Sequence, residues 1–269
     1  MLFRSGDVTI AEDAAEQTVN LTGIAAGGGE SQPLKVTASS SNTGLIPDPT
    51  VIYTSADATG SLKFTPVADL SGTAVITLVV EDGGLDRDLG TTADNLKVTK
   101  TFTVTVTAVN DVPTLDQPGD VTIDEDASEQ TVDLSGISAG GGESQPLRVT
   151  ASSNNAGLIP DPTVVYTSAD ATGSLKFTPV ADQSGSAVIT VVVEDGGLDN
   201  DLSTTGDNAT TTLTFTVTVN AVNDEPTLDQ PGDVTIDEDA SEQTVNLTGI
   251  FAGGGESQPL SVTASSSDI

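Results

Sequence analysis

Asn110 and the Asp111 beside it return as Asn223-Asp224, 113 residues on, and the same offset carries Phe64 onto Phe177, Glu81 onto Glu194, and Asp7 onto Asp120 and Asp233. A fixed internal period constrains a fold more than any other sequence feature, because it makes the chain a string of copies of one folded unit. The period divides the sequence into residues 1–112, 113–225 and a partial third copy, 226–269. The runs 108–120 and 221–233 are the junctions, each with an Asn-Asp pair and two prolines set between strand-like segments. By itself the third copy lacks the strands to close a core, since a few strands alone are marginal in water. The sequence therefore leaves two alternatives: a piece of a longer array, or a subunit whose stub another molecule completes.

Within one copy, short apolar runs alternate with turn residues. Strands are expected over 7–10, 17–22, 33–39, 50–54, 61–66, 73–81 and 96–108. In Thr101–Thr107, Phe102, Val104 and Val106 alternate with threonines, the period-two pattern of a half-buried antiparallel strand. Gly27-Gly28-Gly29, Pro47-Asp48-Pro49, Asp69-Leu70-Ser71-Gly72 and Asp82-Gly83-Gly84 have loop composition. No helical periodicity emerges. About seven short strands in roughly 100 residues predict an all-β fold of tandem immunoglobulin-type antiparallel sandwiches. Phe64, Phe102 and Tyr53, with Phe177, Phe215 and Tyr166, are the large side chains left to fill the cores.

The run Gly60–Gly84 (GSLKFTPVADLSGTAVITLVVEDGG) and the ending Phe102–Pro113 (FTVTVTAVNDVP) resemble the cadherin-like tandem repeats of large bacterial surface proteins. The strand followed by Val-Asn-Asp-x-Pro is the distinctive part, and the resemblance covers both full copies and the opening of the third. It implies extracellular sandwiches in a stalk or adhesion region, with calcium at the domain borders.

Charge points the same way. Forty acidic residues stand against eight basic ones, a net charge of −32. That excludes nucleic acid and anionic membrane as partners and opposes compaction unless cations neutralise it. Cys, His and Trp are absent, which excludes disulfides, zinc sites and imidazole catalysis. The acids recur in three places per copy: Glu12-Asp13 with Asp124-Glu125-Asp126 and Asp237-Glu238-Asp239; Asp69 with Asp182; Glu81-Asp82 with Glu194-Asp195. Calcium takes six to eight oxygens, more than one loop supplies, so several loops meeting at one end of a sandwich suit it.

Carried over from the cadherin-like border, the first site would use Glu12, Asp69, Asn110 and Asp111 with Asp195 from the following repeat. The second would use Glu125, Asp182, Asn223 and Asp224. The chain departs from the family pattern at Gly27-Gly28-Gly29-Glu30 and Gly140-Gly141-Gly142-Glu143, where members carry Asp-x-Asp. One or two ions per border are therefore expected rather than three.

Paired carboxylates that duplicate every 113 residues in turns do not suit an active site, so no enzymatic activity is expected. The expected function is a calcium-binding, stiff spacer or adhesion stalk of a bacterial cell-surface protein, its partners being neighbouring repeats. The alternative is a self-assembling extracellular filament or surface-layer subunit, with other copies of the chain as partners. No apolar run reaches the roughly 20 residues of a membrane span. Met1–Gly6 is too short for a signal peptide, so the export signal of an extracellular protein would lie outside this sequence.

Overall fold

The computed structural model describes residues 6–91 and 93–267; the Met1–Ser5 opening lies outside them. Among the described residues, fourteen strands form two sandwiches of seven. The first unit contains β1 (Val8–Ala11), β2 (Gln17–Thr22), β3 (Leu34–Ser40), β4 (Thr50–Ile52), β5 (Thr59–Phe64), β6 (Gly72–Asp82) and β7 (Lys97–Thr107). One sheet runs β1-β7-β6-β3 and the other β2-β5-β4. The second unit repeats this with β8 (Val121–Asp124), β9 (Gln130–Leu134), β10 (Leu147–Ser153), β11 (Thr163–Val165), β12 (Gly173–Phe177), β13 (Gly185–Asp195) and β14 (Thr210–Asn220), ordered β10-β13-β14-β8 and β11-β12-β9.

The alternation read from the sequence decides which side chains turn inward. Phe102, Val104 and Val106 of β7 are buried, while the threonines between them face outward or lie half-covered. Opposite them, Leu62 and Phe64 of β5 close the same core. The second core repeats this with Phe215, Val217 and Val219 against Leu175 and Phe177. Most strand pairs are antiparallel, but β1 runs parallel to β7, Val8 facing Val104, and β8 parallel to β14, Val121 facing Val217. That parallel pairing puts the residue after the first strand beside the end of the last one. The Leu175 side chain is fully buried, so Leu175→Ala is expected to lower the unfolding free energy of its unit by about 2–5 kcal/mol in denaturant titration.

By contact, the first unit comprises the stretch up to Asp111 with Gly140–Glu143 and Gly197–Asp199, and the second takes the remainder. Residues 226–267 form no named strand; Thr227 and Phe251 make an isolated antiparallel bridge. Several of their apolar side chains lack the cover found in the full copies, although Ala252 is buried. Leu247 is 41% exposed where its equivalent Leu134 is 2% exposed, and Val262 is 49% exposed where Val149 is 8%. No helix among the described residues is long and apolar enough to cross a membrane.

Candidate metal centre

Three local devices bring acidic side chains together in the first unit. The parallel ladder continues one residue past β1, with the Glu12 amide donating to the Thr107 carbonyl at 3.1 Å. Glu12 is thereby buried, and its Oε1 accepts the Val109 amide at 2.8 Å, which fixes the strand-to-linker exit. Asp69 holds a left-handed turn (φ 59°) before β6, and its amide donates to Asp13 Oδ1 at 3.4 Å. Asp111, in the junction that follows β7, is half-buried, its amide donating to Glu143 Oε2 at 3.1 Å.

The outcome is two acidic groupings that share Asp111. Glu12, Asp111 and Glu143 form one, and Asp13, Asp69 and Asp111 the other, with one carboxylate oxygen from each member within 4.8 Å of the rest. The second unit brings together Asp126, Asp182 and Asp224 in the same way. Asp182 sits at φ 57° and its backbone amide donates to Asp126 Oδ1 at 3.2 Å, while buried Glu125 accepts the Val222 amide at 2.7 Å.

Among the described residues, no ion pair offsets this charge. The ion pairs found among the described residues join Lys63 to Glu16, Lys97 to Glu81, Arg148 to Glu194 and Lys176 to Glu129. None reaches Glu12, Asp13, Asp69, Asp111, Asp126, Asp182 or Asp224. Asp111 Oδ2 and Asp224 Oδ2 are moreover buried atoms without a hydrogen-bond partner. Desolvation, followed by repulsion from Asp13, Asp69 and Glu12, pushes the Asp111 carboxyl above the usual carboxylate range. Asp224 is raised in the same sense, by desolvation and then by Asp126, Asp182, Glu256 and Glu125.

An arrangement of this kind suits a hard cation. All the donors are oxygens, and two oxygens bound to one calcium at about 2.3–2.6 Å each stand no more than about 5 Å apart. The spacing of the groupings meets that limit, and a cation would supply the partner that the two buried Oδ2 atoms lack. Asp111 is common to both groupings and would offer a carboxylate oxygen to a cation held in either.

The residues expected from the sequence do not all converge. Glu12, Asp69 and Asp111 come together, as do Asp182 and Asp224. Asn110 lies half-buried before Asp111, and Asn223 is exposed with its Nδ2 donating to the Asp224 carbonyl at 3.1 Å. Glu125 is held against the Val222 amide and belongs to none of the groupings. Asp195, at the end of β13, is fully buried, and its Oδ1 accepts the Ala209 amide at 2.9 Å. It too belongs to none of the groupings, and its equivalent Asp82 likewise accepts backbone amides, from Gly84 and Leu96. The groupings add Asp13, Asp126 and Glu143. Asp13 and Asp126 stand next to the expected glutamates in acidic runs, a signal already in the sequence. Glu143 follows three glycines, and its role becomes visible only when that loop is folded.

No protein-family model matches the chain, and no curated protein sequence does. Solved structures share a likeness with it. Domains 4 and 5 of the S-layer protein SbsC are 21% identical over 74% of this chain and 74% of that one, with a TM-score of 0.31. Titin domains Z1Z2, solved in complex with telethonin, are 12% identical over 82% and 96%, at 0.33. EC1-2 of human mucin-like protocadherin is 14% identical over 82% and 98%, at 0.40.

Proposed function

We propose that the chain is a calcium-stiffened spacer, the repeat region of an extracellular, cell-surface protein. The observation that carries this reading is the twofold convergence of carboxylates on the linker aspartate, Asp111 and then Asp224, each with a buried oxygen left without a donor. Asp111 is the last residue of the first unit's continuous stretch, and Val112 opens the second. An ion that grips Asp111 therefore grips the chain where one unit passes into the next and removes torsional freedom from the linker. Largely exposed acidic sites such as Asp13, Asp69, Asp126 and Asp182 suit the weak affinities of extracellular calcium modules, about 10⁻⁴–10⁻³ M. Function is then mechanical, without catalysis, and neighbouring repeats are the first partners.

Small-angle scattering of the full chain in calcium and in EGTA tests this. The ensemble of radii of gyration is expected to narrow in calcium. Identical profiles in the two buffers would remove the stiffening role.

The exposed apolar side chains of the edge strands β4 and β11, Ile52 at 49% and Val165 at 50%, support a second reading, a self-assembling subunit. Uncovered apolar surface on strand-forming sequence invites pairing with another chain. Light scattering over a wide concentration range separates the two. The second reading requires mass growth with concentration, and a constant monomer mass excludes it.

A further inference from the structure

The geometry points to the Gly-Gly-Gly-Glu loop as a preformed clasp that positions the linker aspartate without help from an ion. Gly140, Gly141 and Gly142 hold φ values of 96°, 43° and 72°, and the Glu143 amide closes the turn on the Gly140 carbonyl at 2.8 Å. Glu143 Oε2 then accepts the Asp111 amide. A Cβ built on Gly141 would overlap Asp111 Oδ2, so the carboxylate fits only because that residue has no side chain.

The third copy repeats every part. Gly253, Gly254 and Gly255 hold 94°, 45° and 73°, Glu256 closes on Gly253 at 2.8 Å, and its Oε2 accepts the Asp224 amide at 3.4 Å. A Cβ on Gly254 would overlap Asp224 Oδ2.

The first copy supplies the control. Gly27, Gly28 and Gly29 hold 92°, 55° and 81°, and Glu30 closes on Gly27 at 2.9 Å. A Cβ on Gly28 would meet only the Glu30 side chain, no nearer than 3.9 Å. The loop thus keeps its shape with no aspartate against it, so the shape is intrinsic. A glutamine two residues after the glutamate steadies its carboxylate: Gln32 Nε2 donates to Glu30 at 3.0 Å, and Gln258 Nε2 donates to Glu256.

Only the effect of this clasp on ion affinity rests on the calcium reading; the clasp itself does not. Amide hydrogen exchange on the full chain in EGTA tests it directly. Glu143→Ala is expected to speed exchange at the Asp111 amide by about tenfold or more, the worth of a hydrogen bond to a charged group. Glu143→Gln, which still offers an accepting oxygen, is expected to retain much of the protection, and Glu30→Ala to leave Asp111 unchanged. Unaltered Asp111 exchange in Glu143→Ala would overturn the clasp.

Calcium affinity is the second readout. Gly141→Ala and Gly28→Ala both place a side chain in the left-handed region, so their difference isolates the lost room for Asp111. Affinity in the first unit is expected to fall about 10- to 100-fold in Gly141→Ala, as when a residue orienting a metal ligand is lost, and to hold in Gly28→Ala. Equal affinities in the two variants would overturn the space-making role of Gly141. A wild-type chain that binds no calcium would sink the calcium reading alone, leaving the exchange result to decide the clasp.

Discussion

Calcium is expected to raise the melting temperature of the wild-type chain by about 10 °C or more, and Asp111→Asn is expected to abolish the gain in the first unit. A ligand at a hundredfold excess over its Kd stabilises the folded state by about 2.7 kcal/mol. Each kcal/mol moves the melting temperature of a domain of roughly 100 residues by about 4–8 °C. Asp111 belongs to both acidic groupings of that unit, so its removal strips a ligand from each at once. In EGTA the order reverses. Asn at 111 removes one charge from a cluster that includes Glu12, Asp13 and Asp69 and breaks no ion pair found among the described residues, so the variant is expected to melt at or above the wild type. Asp224→Asn is expected to behave likewise in the second unit. Such a crossing of two melting curves separates ligation from general charge screening, which sodium chloride supplies equally to both proteins. A variant that keeps the calcium gain, or a wild type without one, would refute the centre.

The fold was far more legible in the sequence than the site. Alternation in Thr101–Thr107 and the 113-residue offset suffice for two seven-stranded units, because inward and outward residues follow from the two-residue period of a strand. Pairing partners are another matter. Nothing local in Val8–Ala11 announces that it lies parallel to Thr107 and its neighbours across almost 100 residues, and that pairing is what sets Glu12 beside the linker. Recurring acids marked Asp69 and Asp182, and the family resemblance marked Asp111 and Asp224, yet neither could separate the acids that cluster from those that cap backbone. Asp82 and Asp195 carry the same charge in equally regular positions and take backbone amides at the end of a strand. Glu143 was hidden for the opposite reason. A three-glycine run has the composition of a flexible loop, and only the fixed left-handed φ angles show it to be a shaped one.

The pH dependence of stability is expected to change sign with calcium. Without metal, Asp111 and Asp224 bind protons more tightly in the folded chain than in the unfolded one, chiefly because they are desolvated and then because neighbouring carboxylates repel the charged form. A carboxyl raised in this way contributes its stability fully below the unfolded value, about 3.9 for Asp. The contribution is lost as pH climbs from there through the raised folded value. In EGTA these two residues therefore make the chain less stable as pH rises across that window. Calcium bound to the same oxygens competes with the proton and holds the folded carboxyls below their unfolded values, so stability then increases with pH over the acid range. Other groups add a metal-independent slope of the second kind. Glu194 is lowered mainly by its hydrogen bond from Arg148, Asp86 by Thr91 and Asp201 by Ser203. Subtracting the profile of an Asp111→Asn, Asp224→Asn double variant cancels these. The difference, measured by urea unfolding from about pH 3 to 7, a range that brackets ordinary carboxylate titration, is expected to fall with pH in EGTA and to rise with pH in calcium. Equal slopes in the two buffers would mean that the carboxylates at the two linkers share no ion, and a flat difference in EGTA would mean that burial and repulsion do not raise them.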